Sequence, residues 1–171
     1  MATTLTLAQM EELLAIHEMA EFNLDIDGTM DTLVDNPIYE FPALNLHVEG
    51  RDAVREAYRR LLAGGDVRNF WAEKRRHAIT AEGCLIREAH VFFDTDEGVR
   101  TTGSYNVVMD FEGDKISAER MYMDASFAKV MGEVFGDDFL DVPGVSPLDQ
   151  KFPPPVPRLD RAAAHAANSN H

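Results

Sequence analysis

Two side chains in this sequence stand where a proton could be moved. Asp124 closes the stretch KISAERMYMD, which alternates like a strand, and SFAKVMG follows it with helical spacing. A carboxylate at such a junction can face a cavity mouth, where desolvation beside Tyr122 and the neighbouring methionines raises its pKa toward that of a working base. The same position also suits a helix N-cap, whose side chain accepts a bond from an unpaired amide and whose pKa falls. His17 lies within an apolar helical stripe, where it could relay a proton or orient a substrate carbonyl near neutral pH. A core histidine bonded to a backbone carbonyl is the alternative. In HEMAE, His17 and Glu21 are one turn apart, but the second His of the zinc motif is missing, so no metal site is expected.

Strand parity groups Arg120 and Tyr122 with Asp124 on one face, and Met121 with Met123 on the other. If Asp124 points inward, Arg120 comes with it and needs a carboxylate or a substrate as partner. A bulge would reverse this and put the methionines inside. Tyr39, Trp71, Tyr105 and Asn106 are expected in a cavity wall, the aromatic ones joining an apolar body to a polar tip. His90, in REAHVFF, shares a strand face with Glu88 and Phe92 and lines either the cavity or a dimer contact. His47, His77, His165 and His171 are taken as surface or tail residues.

These candidates need elements to hold them. From Leu7 to about Leu24, Met10, Leu13, Leu14, His17, Ala20 and Leu24 recur at three and four, the spacing of an amphipathic helix. DIDGTMDTLVDNP supplies a Gly turn, a short helix and a Pro stop, and PIYEFP reads as a short edge strand. In VEGRDAVREAYRRLLAGG, Val54, Ala57, Tyr58, Leu61 and Leu62 line one helical face, with Asp52 near the start and Gly64 beyond the end. The period then becomes two over residues 68–80, 84–94, 100–111 and 115–123, separated by turn signals, which predicts a four-stranded antiparallel meander. Phe127, Val130, Met131, Val134 and Phe135 give a closing helix. Six of the eight prolines fall in 143–157, so 1–142 is read as one domain and 143–171 as a Pro-rich arm with a mobile tail.

Composition narrows the partners. Sixteen basic residues against thirty acidic ones give a formal charge of −14, which repels nucleic acid and anionic lipid alike. The lone Cys84 cannot form an internal bridge and sits in an apolar run, as a buried thiol in a reducing compartment would. The N-terminal stretch is acidic where a signal peptide is basic, and no apolar run approaches the roughly 18 residues of a membrane span. A cytoplasmic protein without membrane contact is expected.

The order helix, short helix, short strand, EGRDAVREAYRRLL helix, meander and terminal Y-x-D resembles the nuclear transport factor 2-like (NTF2-like) superfamily, and within it the SnoaL-like, polyketide cyclase-like group, over about residues 7–135. The resemblance implies an α+β, cone-shaped barrel: a curved antiparallel sheet wrapped around N-terminal helices, with an internal apolar cavity and homodimers formed through the outer sheet face. One fold hosts many functions. Aligned with the ketosteroid isomerase pattern, Phe41 falls where the base aspartate belongs, His17 where a tyrosine belongs and about Ser104 at the oxyanion-hole aspartate, which disfavours that chemistry. The epoxide hydrolase pattern needs ionised groups that TTGSYNVV lacks. Scytalone dehydratase is matched loosely by His17, His90 and Tyr39. Asp124 closes the Y-x-D element where cyclases of this group carry their acid/base aspartate, and those enzymes use no metal or organic cofactor. The expected function is therefore cofactor-free acid/base catalysis on a small hydrophobic oxygenated molecule, as a cyclase, dehydratase or isomerase. Asp124 and His17 would be catalytic, with Tyr39, Trp71, His90, Tyr105, Asn106, Arg120 and Tyr122 around the substrate. The alternative is a non-catalytic module for small-molecule binding or dimerisation.

Overall fold

The computed structural model describes residues 2–150. Helix α1 (Leu7–Phe22) starts at a capping box: the Thr6 hydroxyl accepts from the Gln9 amide, and the Gln9 side chain accepts from the Thr6 amide. It buries Met10, Leu14 and His17, one stripe at spacings of four and three. A six-residue α2 (Ile26–Asp31) follows, then β1 (Leu33–Phe41) and β2 (Leu46–Glu49). Helix α3 (Arg51–Val67) buries Ala53, Val54, Ala57 and Tyr58. The meander runs β3 (Trp71–Ile79), β4 (Cys84–Asp94), β5 (Arg100–Glu112) and β6 (Lys115–Met123), and α4 (Ala125–Phe135) closes it.

The seven strands of the described residues form one sheet in the order β3-β4-β5-β6-β1-β2-β7, where β7 is Val145–Pro147. The α+β cone expected from the sequence is therefore present, with two corrections. The sheet is mixed, since β1 runs parallel to β6, and it curls without closing into a barrel, leaving β3 and β7 as edges. The segment read as a short edge strand is nine residues long and internal, pairing with both β6 and β2. The short strand β7 is a third departure from the sequence reading: it adds to β2 from within the Pro-rich region. The part of the expected Pro-rich arm and mobile tail that spans 151–171 lies outside the described residues.

Helix α3 also runs past its expected end. Gly64 sits inside it because Val134 of α4 lies so close that a Cβ there would meet the valine methyls at 2.7 Å. Gly103 on β5 does the same for the start of α4, where a Cβ would meet that of Phe127 at 2.8 Å. Alternation along the strands then sorts the two sheet faces. Leu85, Ala89, Val91 and Phe93 of β4, and Val107, Met109 and Phe111 of β5, are buried on the concave face against α1, α3 and α4. Among the described residues no helix is long and apolar enough to cross a membrane.

Candidate functional site

Between the helices and the concave face lies a cavity of about 1010 Å³. Most of its wall is apolar, with Phe41, Phe70, Met109, Met121 and Phe127 among the lining side chains. Met19, Phe22, Leu24 and Trp71 also line it and are exposed, Phe22 meeting Trp71 edge to face at 6.4 Å, so they form an apolar rim.

One side of the wall is polar. His17, 1% exposed, sits with Nδ1 2.6 Å from the Thr32 hydroxyl oxygen, and that hydroxyl donates its own proton to the Thr29 carbonyl at 2.6 Å. Thr32 has no second proton to give, so His17 Nδ1 must carry one and donate it. The Nε2 side is then free to change state. The Tyr58 hydroxyl is 3.0 Å from Nε2 and Glu21 Oε1 is 3.3 Å from it. The Tyr39 and Tyr58 hydroxyls are 2.6 Å apart, and Glu119 stands opposite Tyr39 in the β1–β6 register, where the phenol favours the ionised form of the carboxyl. Tyr39, Tyr58 and His17 thus form one hydrogen-bonded chain contributed by β1, α3 and α1, and Glu119 of β6 stands at its Tyr39 end.

The surroundings raise the pKa of the titratable groups at both ends of this chain. Burial pushes the Glu119 carboxyl up, the nearby Glu21 charge adds to this, and His17, Arg87 and the Tyr39 bond pull the other way, leaving it at about 7. For His17, burial lowers the pKa, but the charge and hydrogen bond of Glu21 and the charge of Glu119 outweigh it, so it titrates above its ordinary 6.5. Tyr39 and Tyr58 are raised well above 10, mainly by burial, so both stay neutral and pass protons without holding charge. Tyr105, also in the wall, is pushed up to about 12 by burial.

The sequence candidates divide between the two faces. His17, Tyr39, Trp71 and Tyr105 line the cavity. Asp124 does not: it is the N-cap of α4, accepting from the Phe127 amide at 2.9 Å, the Ser104 amide at 2.7 Å and the Ser104 hydroxyl at 3.0 Å. Partial burial would raise its pKa, but these bonds more than offset it and hold the carboxyl below the usual range. Arg120 is corrected to the outer face, where its partner is the buried carboxylate of Glu40. His47, read as a surface residue, is buried there too, its ring nitrogens 3.4 Å from Glu40 and from Glu49. Tyr122, paired with Asn106 across β5 and β6, lies with it on that face, and His90 shares the outward phase on β4. The reason is phase: Tyr39 of β1 and Met109 of β5 stand opposite Glu119, so Glu119, Met121 and Met123 point inward.

Sequence reading missed Glu119, Tyr58 as a polar group, and Arg87. The alternation that carried Asp124 also contained Glu119 in the opposite phase, beside the methionines; the choice of phase was the missing information. Among the described residues no group of three or more His, Cys, Asp or Glu is placed to hold a metal ion.

No family model and no curated protein matches this chain. Solved structures do. An NTF2-like protein of unknown function from Cytophaga hutchinsonii shares 18% identity over 67% of this chain and 98% of its own, with a TM-score of 0.56. A putative SnoaL-like polyketide cyclase from Jannaschia sp. shares 12% over 72% and 91%, with a TM-score of 0.61. An epoxide hydrolase/cyclase-like enzyme of pyran ring formation in the polyether salinomycin shares 14% over 70% and 93%, with a TM-score of 0.59. At such identities the likeness is one of fold, and the fold of this chain is the NTF2-like fold.

Proposed function

We propose that this protein is a cofactor-free proton-transfer enzyme acting on a small, largely apolar molecule bearing a few oxygens, with Glu119 rather than Asp124 as its base. The observation that carries this is the row of hydrogen-bonded side chains Tyr39, Tyr58 and His17 with Glu119 at its far end, Glu119 being raised by burial to about 7 and His17 being raised above its ordinary 6.5. The solved relatives with cyclase-type names lend it the weaker support of a shared fold.

The chain has two arrangements. With neutral His17, Tyr58 donates to Nε2, Tyr39 donates to Tyr58, and Glu119 holds the proton. With protonated His17, Nε2 donates, both phenols turn over, and Tyr39 donates to the Glu119 carboxylate. Moving between them shifts one proton across the wall without ionising a phenol. In turnover, Glu119 carboxylate takes a proton from a carbon next to a substrate carbonyl; the C–H electron pair becomes the enolate double bond, with charge on oxygen. Returning that proton at another atom isomerises the substrate. Attack of the enolate carbon on a second carbonyl cyclises it, and loss of a β-hydroxyl as water dehydrates it, a proton coming from His17 through the phenols.

Incubating the protein in deuterium oxide with aryl and alicyclic ketones, as neutral compounds and as keto acids, tests this by mass spectrometry. The expected result is carbon-bound deuterium accumulating with at least one ligand at a rate that Glu119→Gln lowers by about 100-fold or more while binding persists. Ligands that bind the cavity and never exchange faster than in buffer would establish the non-catalytic binding module. To the same reading belong a homodimer through the outer sheet face, where Ile86 and Tyr122 are exposed, and a cytoplasmic location.

A further inference from the structure

Arg87 is a buried charged group in the cavity wall that the proton chain does not use. It stands on the concave face of β4 between Leu85 and Ala89, lines the cavity, and is 9% exposed. Its Nη1 pairs with Glu18 of α1. Its Nε and Nη2 are buried with no hydrogen-bond partner. Burial lowers its pKa, yet a guanidinium stays charged at any physiological pH, so these are two permanent donors with nothing to receive them. Buried donors are satisfied as a rule, and an orphaned pair in a cavity wall marks a place for a ligand atom.

We propose that Arg87 receives the carboxylate of the cavity's ligand, which makes that ligand a small amphipathic acid with its apolar body against Phe70, Met109, Met121 and Phe127. This deepens the function proposed above by naming a substrate class for the same cavity. The Nε and Nη2 edge of a guanidinium presents two parallel N–H groups, the spacing that two oxygens of one planar carboxylate accept together. A second cation marks the route in. Lys74 is paired with Ala89 across β3 and β4, so it shares the concave face, lines the cavity and forms no ion pair among the described residues. On a chain of net charge −14, with Glu18, Glu21, Asp66 and Glu119 also in the cavity wall, Arg87 and Lys74 are cations that would offset the repulsion an anion meets on entry.

The test compares matched acids and amides by titration calorimetry: benzoate, 2-naphthoate and 1-adamantanecarboxylate against benzamide, 2-naphthamide and 1-adamantanecarboxamide. None has an acidic C–H, so binding is read with no proton transfer, and failure here is distinct from failure of the catalytic reading. The proposal expects at least one acid to bind the wild-type protein about tenfold or more tighter than its amide. Arg87→Gln should abolish that preference while the amide's affinity changes less than about twofold, and Arg87→Lys should keep part of it. Equal affinities in the wild type, no acid binding at all, or a preference that survives in Arg87→Gln would each overturn it. Should Arg87→Gln not fold, Arg87→Lys decides, because an undiminished preference there removes the role of the fork.

Discussion

Glu119 makes the stability of this protein depend on pH in a direction opposite to that of most carboxylates. In the unfolded chain it titrates near its ordinary 4.5, and in the fold at about 7. Below pH 4.5 it is protonated in both states and contributes nothing. As pH rises from there to 7, the unfolded state ionises first, so stability falls, by at most about 3 kcal/mol once both are ionised. His17 acts in the same sense: its raised pKa stabilises fully below 6.5, and that contribution is lost as pH rises through the folded value. Glu119→Gln should therefore gain stability over wild type at pH 8 and little at pH 4.5, measured by urea unfolding at both. A gain of equal size at the two pH values would show that the carboxyl is not buried as described. Why the sequence pointed to Asp124 instead is visible at this scale. Alternation shows that Glu119 and Arg120 face opposite ways, but which one faces inward is set by pairing with Tyr39, 80 positions earlier for Glu119, and no local signal carries it.

At the scale of elements, the junction between β6 and α4 is structural. Asp124 bonds two amides and the Ser104 hydroxyl, and Gly103 leaves room for the first turn of α4 to lie on β5. Asp124→Ala should lower stability by about 1 kcal/mol, the usual worth of a cap, and leave deuterium exchange near wild-type rates. A loss of exchange comparable to that of Glu119→Gln, in a folded variant, would return the catalytic role to Asp124. The observed bounds of the helices and the meander agree with the sequence reading within a few residues; α3, α4 and β4 have a clear local period, whereas α1 also exposes Ile16, Met19 and Phe22 and β3 is exposed along most of its length. Three features were not legible in the sequence. Gly64 and Gly65 signal a stop, but α3 continues through them because α4 packs on Gly64. The length of β1 and the presence of β7 depend on partners distant in sequence, and a run such as VSP has no period of its own.

For the whole molecule, the outer sheet face carries the expectation of a dimer. Ile86 and Tyr122 are exposed on it, beside the buried Glu40 and His47 and the more exposed Arg120 that pairs with Glu40. Sedimentation velocity at micromolar concentration should show two chains, and Ile86→Glu should shift the protein toward one. A wild-type protein that sediments as a single chain would remove the dimer from the account. Charge and composition argue against polyanion partners but could not show that a cation was kept inside. The sheet itself ends without its two edge strands, β3 and β7, meeting, and β3 is left as an exposed edge. Such an edge is a template on which a second copy could add its own strand. In this chain it carries Lys74, Arg75 and Arg76 in succession, so an identical strand arriving alongside is met by like charge. Where a barrel terminates its sheet by joining the last strand to the first, this protein terminates it by repulsion.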